Sequence, residues 1–261
     1  MRHTAITLFL LVLTGCAIAQ NTPTDHTPAP LTQDSSLDAV LDALDARGRD
    51  LHSLSADVKM TETDAGLGAS SARSGHFWLM TLPDGSTRAR ALFDRKTQDD
   101  RTTEEKIEYV FANGKLIDRN YARETQVTRL VLKPGEKMNL LKLGEGPFPL
   151  PIGQKRQDVC ENFDVSKIAP SSGDASNMLH VRLIPKSGTS LARKFKSIDV
   201  WVDPSDQLPK RIETVDQNET ERRRTDLSDV AINTKLNDAD LEPGKVPNLS
   251  KWNLVDESFQ K

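Results

Sequence analysis

A change of hydrophobic period most constrains what this chain can fold into. Leu37, Val40, Leu41 and Leu44 recur at helical spacing, with Asp38, Asp42 and Asp45 on the opposite side. From Val58 onward the apolar residues fall instead on alternate positions: Val58 and Met60, then Phe77 and Leu79, then Ala89, Ala91 and Phe93, then Ile107, Tyr109 and Phe111. The pattern returns at Leu179, Val181 and Leu183 and at Ile198, Val200 and Val202. A period of two sends successive side chains to opposite faces of a strand, so each segment has one face to bury. Pro83-Asp84-Gly85, Asn113-Gly114 and Asp203-Pro204 separate such segments as turns. No long helical stretches alternate with the strands. The pattern therefore predicts a mainly β chain of about nine to eleven strands in one curved antiparallel sheet, preceded by one amphipathic helix.

Ser35 or Ser36 is placed to cap that helix, and the acidic first turns suit its dipole. Gly48 predicts fraying at the far end. Between Pro134 and Pro151 the apolar residues Met138, Leu140, Leu141, Leu143, Phe148 and Leu150 are interrupted by Gly144, Gly146, Pro147 and Pro149. That segment is too broken for a long regular element and too apolar for a solvated loop, so it is expected to cover something apolar. Gln154 to Phe163 is expected to form a short helix with Val159 and Phe163 turned inward.

The first residues carry an export signal. Arg2 is followed by an apolar run from Ala5 to Leu13, about half of the roughly 18 residues a membrane-spanning helix needs. Leu13-Thr14-Gly15-Cys16 resembles a bacterial lipobox, which implies a signal peptide over 1–15 and lipidation at Cys16. Ala17-Ile18-Ala19 offers a competing cut that would release a soluble periplasmic protein. Residues 16–34 are polar and Pro-containing and are expected to form a disordered tether, followed by a folded domain over 35–250 and a tail over 251–261.

Little in the chain points to catalysis. The formal charge of −3 gives no reason to expect nucleic acid, and the cysteines, Cys16 and Cys160, lack metal-site spacing. No nucleophile elbow, zinc-protease motif or phosphate-binding glycine loop is present. His76 sits on a strand and could act as a base, but a polar strand face is its ordinary setting. Glu104-Glu105 reads as solvated. The run Glu221 to Arg224 mixes signs and reads as an exposed strand face, with contact to lipid headgroups as the sharper alternative. The expectation is a non-enzyme with no cofactor and no metal.

The order of several segments resembles the LolA/LolB family of periplasmic lipoprotein carriers and acceptors. Leu54-Ser55-Ala56-Asp57-Val58, then Ser74-Gly75-His76-Phe77-Trp78-Leu79 with Pro83, carry the first part of the match. Tyr109 to Leu116 with Gln126-Val127-Thr128, and Ile198 to Val202 with Asp203-Pro204, Leu208-Pro209 and Leu227-Ser228-Asp229, carry the rest. The resemblance implies an unclosed antiparallel half-barrel, covered by the N-terminal helix and a short helical or loop lid. It also implies binding of lipid or lipoprotein acyl chains between sheet and cover, for lipoprotein transport or insertion in the cell envelope, at a membrane reached through the Cys16 anchor. Expected lining residues are Phe77, Leu79, Phe93, Tyr109 and Phe111 on the sheet, Leu41 and Leu44 on the helix, and Leu141, Phe148 and Leu150 on the cover. The chain departs from the carriers at Leu82, where an arginine commonly precedes the hairpin proline. The alternative is a lipid-responsive sensor domain that holds a signalling protein of the envelope.

Overall fold

The computed structural model describes residues 30–133, 136, 152–171, 177–246 and 248–257. Helix α1, Leu37–Arg49, starts where Ser36 accepts a hydrogen bond from the Ala39 N–H, and it buries Val40, Leu41, Ala43 and Leu44. A first meander follows: β1 Ser53–Asp64, β2 Ala69–Thr81, β3 Thr87–Gln98, β4 Arg101–Ala112, β5 Lys115–Asn120 and β6 Thr125–Leu130. Helix α2, Arg156–Asn162, leads into a second: β7 Phe163–Ile168, β8 Leu179–Pro185, β9 Phe195–Asp203, β10 Leu208–Asp216 and β11 Glu221–Ile232. A short helix α3, Asp238–Leu241, and strand β12, Asn253–Glu257, complete the order.

The turns act as their residues require. Asn113 and Gly114 both adopt positive φ, 53° and 71°, the two-residue turn that matches strand twist. Asp84 and Asp203 each accept hydrogen bonds from the backbone and hydroxyl of a serine two residues on.

The strands form one 12-stranded sheet in the order β12-β6-β5-β4-β3-β2-β1-β11-β10-β9-β8-β7. Each meander pairs within itself, and the antiparallel β1·β11 ladder joins them at the centre. The ends, β12 and β7, do not pair with each other, so the sheet is an unclosed half-barrel. The strands slightly outnumber the sequence expectation. The segment expected as a C-terminal tail supplies one of them, lying parallel on β6 from Asn253 opposite Thr125 to Glu257 opposite Arg129. Leu31, within the expected tether, is buried, and the Gln33 amide donates to the Met178 carbonyl at 3.3 Å.

The core lies on one face of the sheet, here called the inner face. It takes Leu54, Ala56 and Val58 from β1, Phe77 and Leu79 from β2, and Ala89, Ala91 and Phe93 from β3. Leu179, Val181, Leu183, Ile198, Val200, Val202 and Ile212 continue it across β8 to β10, and α1 contributes its apolar stripe. Val159 and Phe163 are both buried, as expected of α2.

Gly48 differs from the expectation. The helix runs through it to Arg49, and the glycine admits a second backbone: a Cβ there would lie 1.9 Å from the Gly153 Cα, while the Gly153 N–H donates to the Leu44 carbonyl at 3.0 Å. An exposed helical Gly→Ala change stabilises by about 1 kcal/mol. Here steric conflict reverses the sign, and Gly48→Ala is expected to destabilise by about 1–3 kcal/mol. The measurement is the urea midpoint, which falls while the slope stays constant.

Candidate functional site

The inner face gathers every expected lining residue that the structure describes. Leu41, Leu44, Phe77, Leu79, Phe93 and Phe111 are buried in one cluster, and Tyr109 packs half-buried against it. The Tyr109 ring meets Phe93 edge to face at 6.3 Å between centroids. Leu141, Phe148, Leu150 and Cys16 lie outside the described residues.

Register shows a second tier that the alternation alone did not reveal. Along β1 the inner positions run Leu54, Ala56, Val58, Met60, then Glu62; along β2, from its far end, Leu79, Phe77, Gly75, then Arg73. On β4 they run Phe111, Tyr109, Ile107, then Glu105, and on β11 Leu227, Thr225, then Arg223. The inner face therefore changes from apolar to charged over two adjacent inner positions across β4, β2, β1 and β11. Met60, Tyr109 and Leu116 are only partly buried, Met60 at the step and the other two on its apolar side. Glu62 accepts from Arg73 Nη1 at 3.3 Å and from Arg223 Nε at 3.1 Å, and Arg73 Nε donates to Glu105 at 3.0 Å. On β1 and β4 the charged residue stands one inner position beyond the last apolar one, while on β2 and β11 Gly75 and Thr225 intervene.

Burial raises the Tyr109 pKa, and neighbouring Asp118 raises it further, while Arg73 and Arg223 oppose. Asp118 also sits on the inner face, its pKa raised by burial and opposed by Arg129, which lies 3.6 Å from it. Arg129 in turn donates to Glu257 of β12 at 2.8 Å.

The outer face is polar and tightly paired. Glu108 is fully buried there, accepting from Arg90 Nε at 2.8 Å, the Gly244 N–H at 3.0 Å, the Tyr121 hydroxyl at 2.8 Å and Arg119 Nη1 at 3.4 Å. Arg119 also donates to the Gly244 carbonyl at 2.6 Å, and the Tyr121 ring meets Trp252 at 5.2 Å. These contacts tie the segment between β11 and β12 to the back of the sheet. His76 lies beside an outer groove of about 520 Å³. Its Nδ1 is 2.7 Å from the Asp57 carboxylate, and its ring lies 4.3 Å from that of Trp78. Among the described residues no cluster of His, Cys, Asp or Glu is placed to hold a metal ion, and no helix is long and apolar enough to cross a membrane.

No protein-family profile matches the chain, and no curated protein matches it. Among solved structures it is similar to the complex of Pseudomonas aeruginosa MucA/MucB, at 12% identity and a TM-score of 0.42 over 79% of this chain and 60% of that one. It is also similar to a putative outer membrane lipoprotein-sorting protein domain from Vibrio parahaemolyticus, at 12% identity and 0.35 over 78% and 95%. A LolA superfamily protein from Nitrosomonas europaea shares 10% identity at 0.30 over 82% and 98%. The chain thus spans about three-fifths of the first of these and nearly all of the other two.

Burial alone would raise the Glu108 pKa, but the Gly244 N–H, the Tyr121 hydroxyl and Arg90 outweigh it and hold it below the usual value. A carboxylate depressed on folding contributes stability above its unfolded pKa of about 4.3, and loses it as pH falls toward the folded value. Glu108→Ala is expected to cost about 3–5 kcal/mol at neutral pH by leaving two guanidiniums unneutralised. The deficit relative to wild type should shrink below about pH 4, as the wild-type carboxyl takes up its proton. Chemical denaturation at several pH values checks both statements, and amide exchange at Gly244 should rise in the variant.

Proposed function

We propose that this chain binds lipid or lipoprotein acyl chains on its inner face, as an envelope protein of lipoprotein transport or insertion held to a membrane through Cys16. The observation that carries this reading is the unclosed 12-stranded sheet with a continuous apolar inner face, ending at Met60 and a charged rim. A closed barrel would seal such a surface, whereas an open one leaves a side through which a chain can enter. Burial gains roughly 0.8 kcal/mol per methylene, enough over a long acyl chain to compete with a bilayer. The reading includes a non-catalytic role: His76 pairs with Asp57 and its ring lies tilted against Trp78 on the outer face, opposite the apolar floor.

Native mass spectrometry of the chain purified from a bacterial host is expected to show lipid-sized adducts. Met60→Glu, which places a carboxylate at the apolar boundary without removing a fully buried side chain, should abolish them while the thermal midpoint stays within a few degrees. A lipid-free wild type would sink the proposal. Short-chain ester hydrolysis should stay at background in wild type and in His76→Ala alike; turnover that vanishes in the variant would overturn the non-enzyme part.

A further inference from the structure

The charged rim has a composition that says more about the ligand than an apolar floor can. Across β4, β2, β1 and β11 the ion pairs alternate in sign: Glu105 with Arg73, Arg73 with Glu62, Glu62 with Arg223, and Arg223 with Glu221 at 2.9 Å. Arg73 and Arg223 flank one carboxylate, each within 3.3 Å of Glu62, so a single tetrahedral anion placed beside it meets both guanidiniums. The pairs are accessible. Arg73 is 22%, Glu62 30% and Arg223 40% exposed, so each presents part of its side chain to solvent. Beside Glu62 and Arg223 lies a groove of about 410 Å³, bordered also by Asp64, Glu221 and the hydroxyl-bearing residues Thr63, Ser70, Ser71 and Thr220, while Arg73 and Glu105 stand outside its lining. That volume is within the range of small-ligand sites.

We propose that this rim is a headgroup site for a zwitterionic amphiphile, with Arg73 and Arg223 taking the phosphate and Glu62 and Glu105 taking the cationic end. The inference rests on the acyl-binding reading above and names its ligand class. A purely anionic headgroup would bring its charge against two glutamates, and a purely cationic one would meet two arginines. A headgroup carrying both signs satisfies the alternating row. The step from Met60 to Glu62 places this site one inner position beyond the apolar floor, where the head of an amphiphile lying on that floor emerges.

Calorimetric titration of the full chain with diheptanoylphosphatidylcholine, diheptanoylphosphatidylglycerol, decanol and glycerophosphocholine tests it. The zwitterionic lipid is expected to bind about tenfold more tightly than the anionic one. In Arg73→Gln/Arg223→Gln its affinity should fall about tenfold while decanol binding is unchanged. Glu62→Gln should narrow the preference by raising affinity for the anionic lipid, which guards against a folding defect in the double variant. Equal affinity for the two lipids, or a double variant that binds like wild type, overturns the headgroup site alone if decanol still binds. Failure of decanol as well overturns the acyl-binding reading with it. Glycerophosphocholine that binds as tightly as the lipid shows a soluble phosphodiester as ligand and sinks the proposal.

Discussion

The β1·β11 ladder is the constraint on which the rest of the molecule depends. Every other antiparallel pair joins strands that are neighbours in sequence and can form as local hairpins, but this one runs from Leu54 opposite Ile232 to Asp64 opposite Glu221. Closing a loop of that length costs about 4–5 kcal/mol in chain entropy beyond a constant. The return is the burial of Leu54, Ala56, Val58 and Leu227 between the two meanders, each large side chain contributing roughly 1.5–3 kcal/mol. Asn233 secures the end of the ladder: its side-chain oxygen accepts from the His52 and Ser53 N–H groups and its amide donates to the Asp50 carbonyl, linking β11 to the exit of α1. Without the ladder there would be two smaller sheets, each with an exposed apolar face.

The same ladder sets the level at which the inner face changes character. Met60 stands opposite Arg73 on one side and Thr225 on the other, and Glu62 opposite Arg223. A shift of one residue would turn Glu62 and Arg223 outward and carry Met60 off the core face. Apolar floor and charged rim are thus one consequence of register, which fixes both the extent of the apolar surface and the place where it ends.

Much of this was legible in local sequence, and the rest depended on partners far away. Alternation located the inner residues of β1 to β4 and of β8 and β9, because a half-buried strand must alternate wherever its neighbours lie. Asn113-Gly114 announced its hairpin because two successive positive φ angles exclude most other residues. The rim was hidden because Glu62, Arg73, Glu105 and Arg223 each look like an ordinary solvated charge until four strands are aligned. Glu108 was unreadable for a related reason: it follows Ile107 on the outward side, and only Arg90, Arg119, Tyr121 and Gly244 together make its burial tolerable. Gly48 was misread because propensity describes the helix alone, whereas the glycine serves the backbone of Gly153.

An open sheet must protect two edges from pairing with other chains. At β7 the protection comes from the N-terminal segment, where Lys167 donates to the Ser35 carbonyl at 2.8 Å and also to that of Gln33. At the opposite end β12 caps β6 and presents Asn253, Asp256 and Glu257 with Leu254 and Val255, a short strand with charged residues at its end. Reaching that position requires the chain to leave β11 near the centre of the sheet and cross the outer face, and Glu108 holds it midway. Because Arg129 binds both Glu257 on β12 and Asp118 on the inner face, the cap is joined to that face through a single guanidinium. The inner face and the closed edge are therefore not independent in this fold: the β6 guanidinium that holds the capping strand through Glu257 also neutralises Asp118 beside Tyr109.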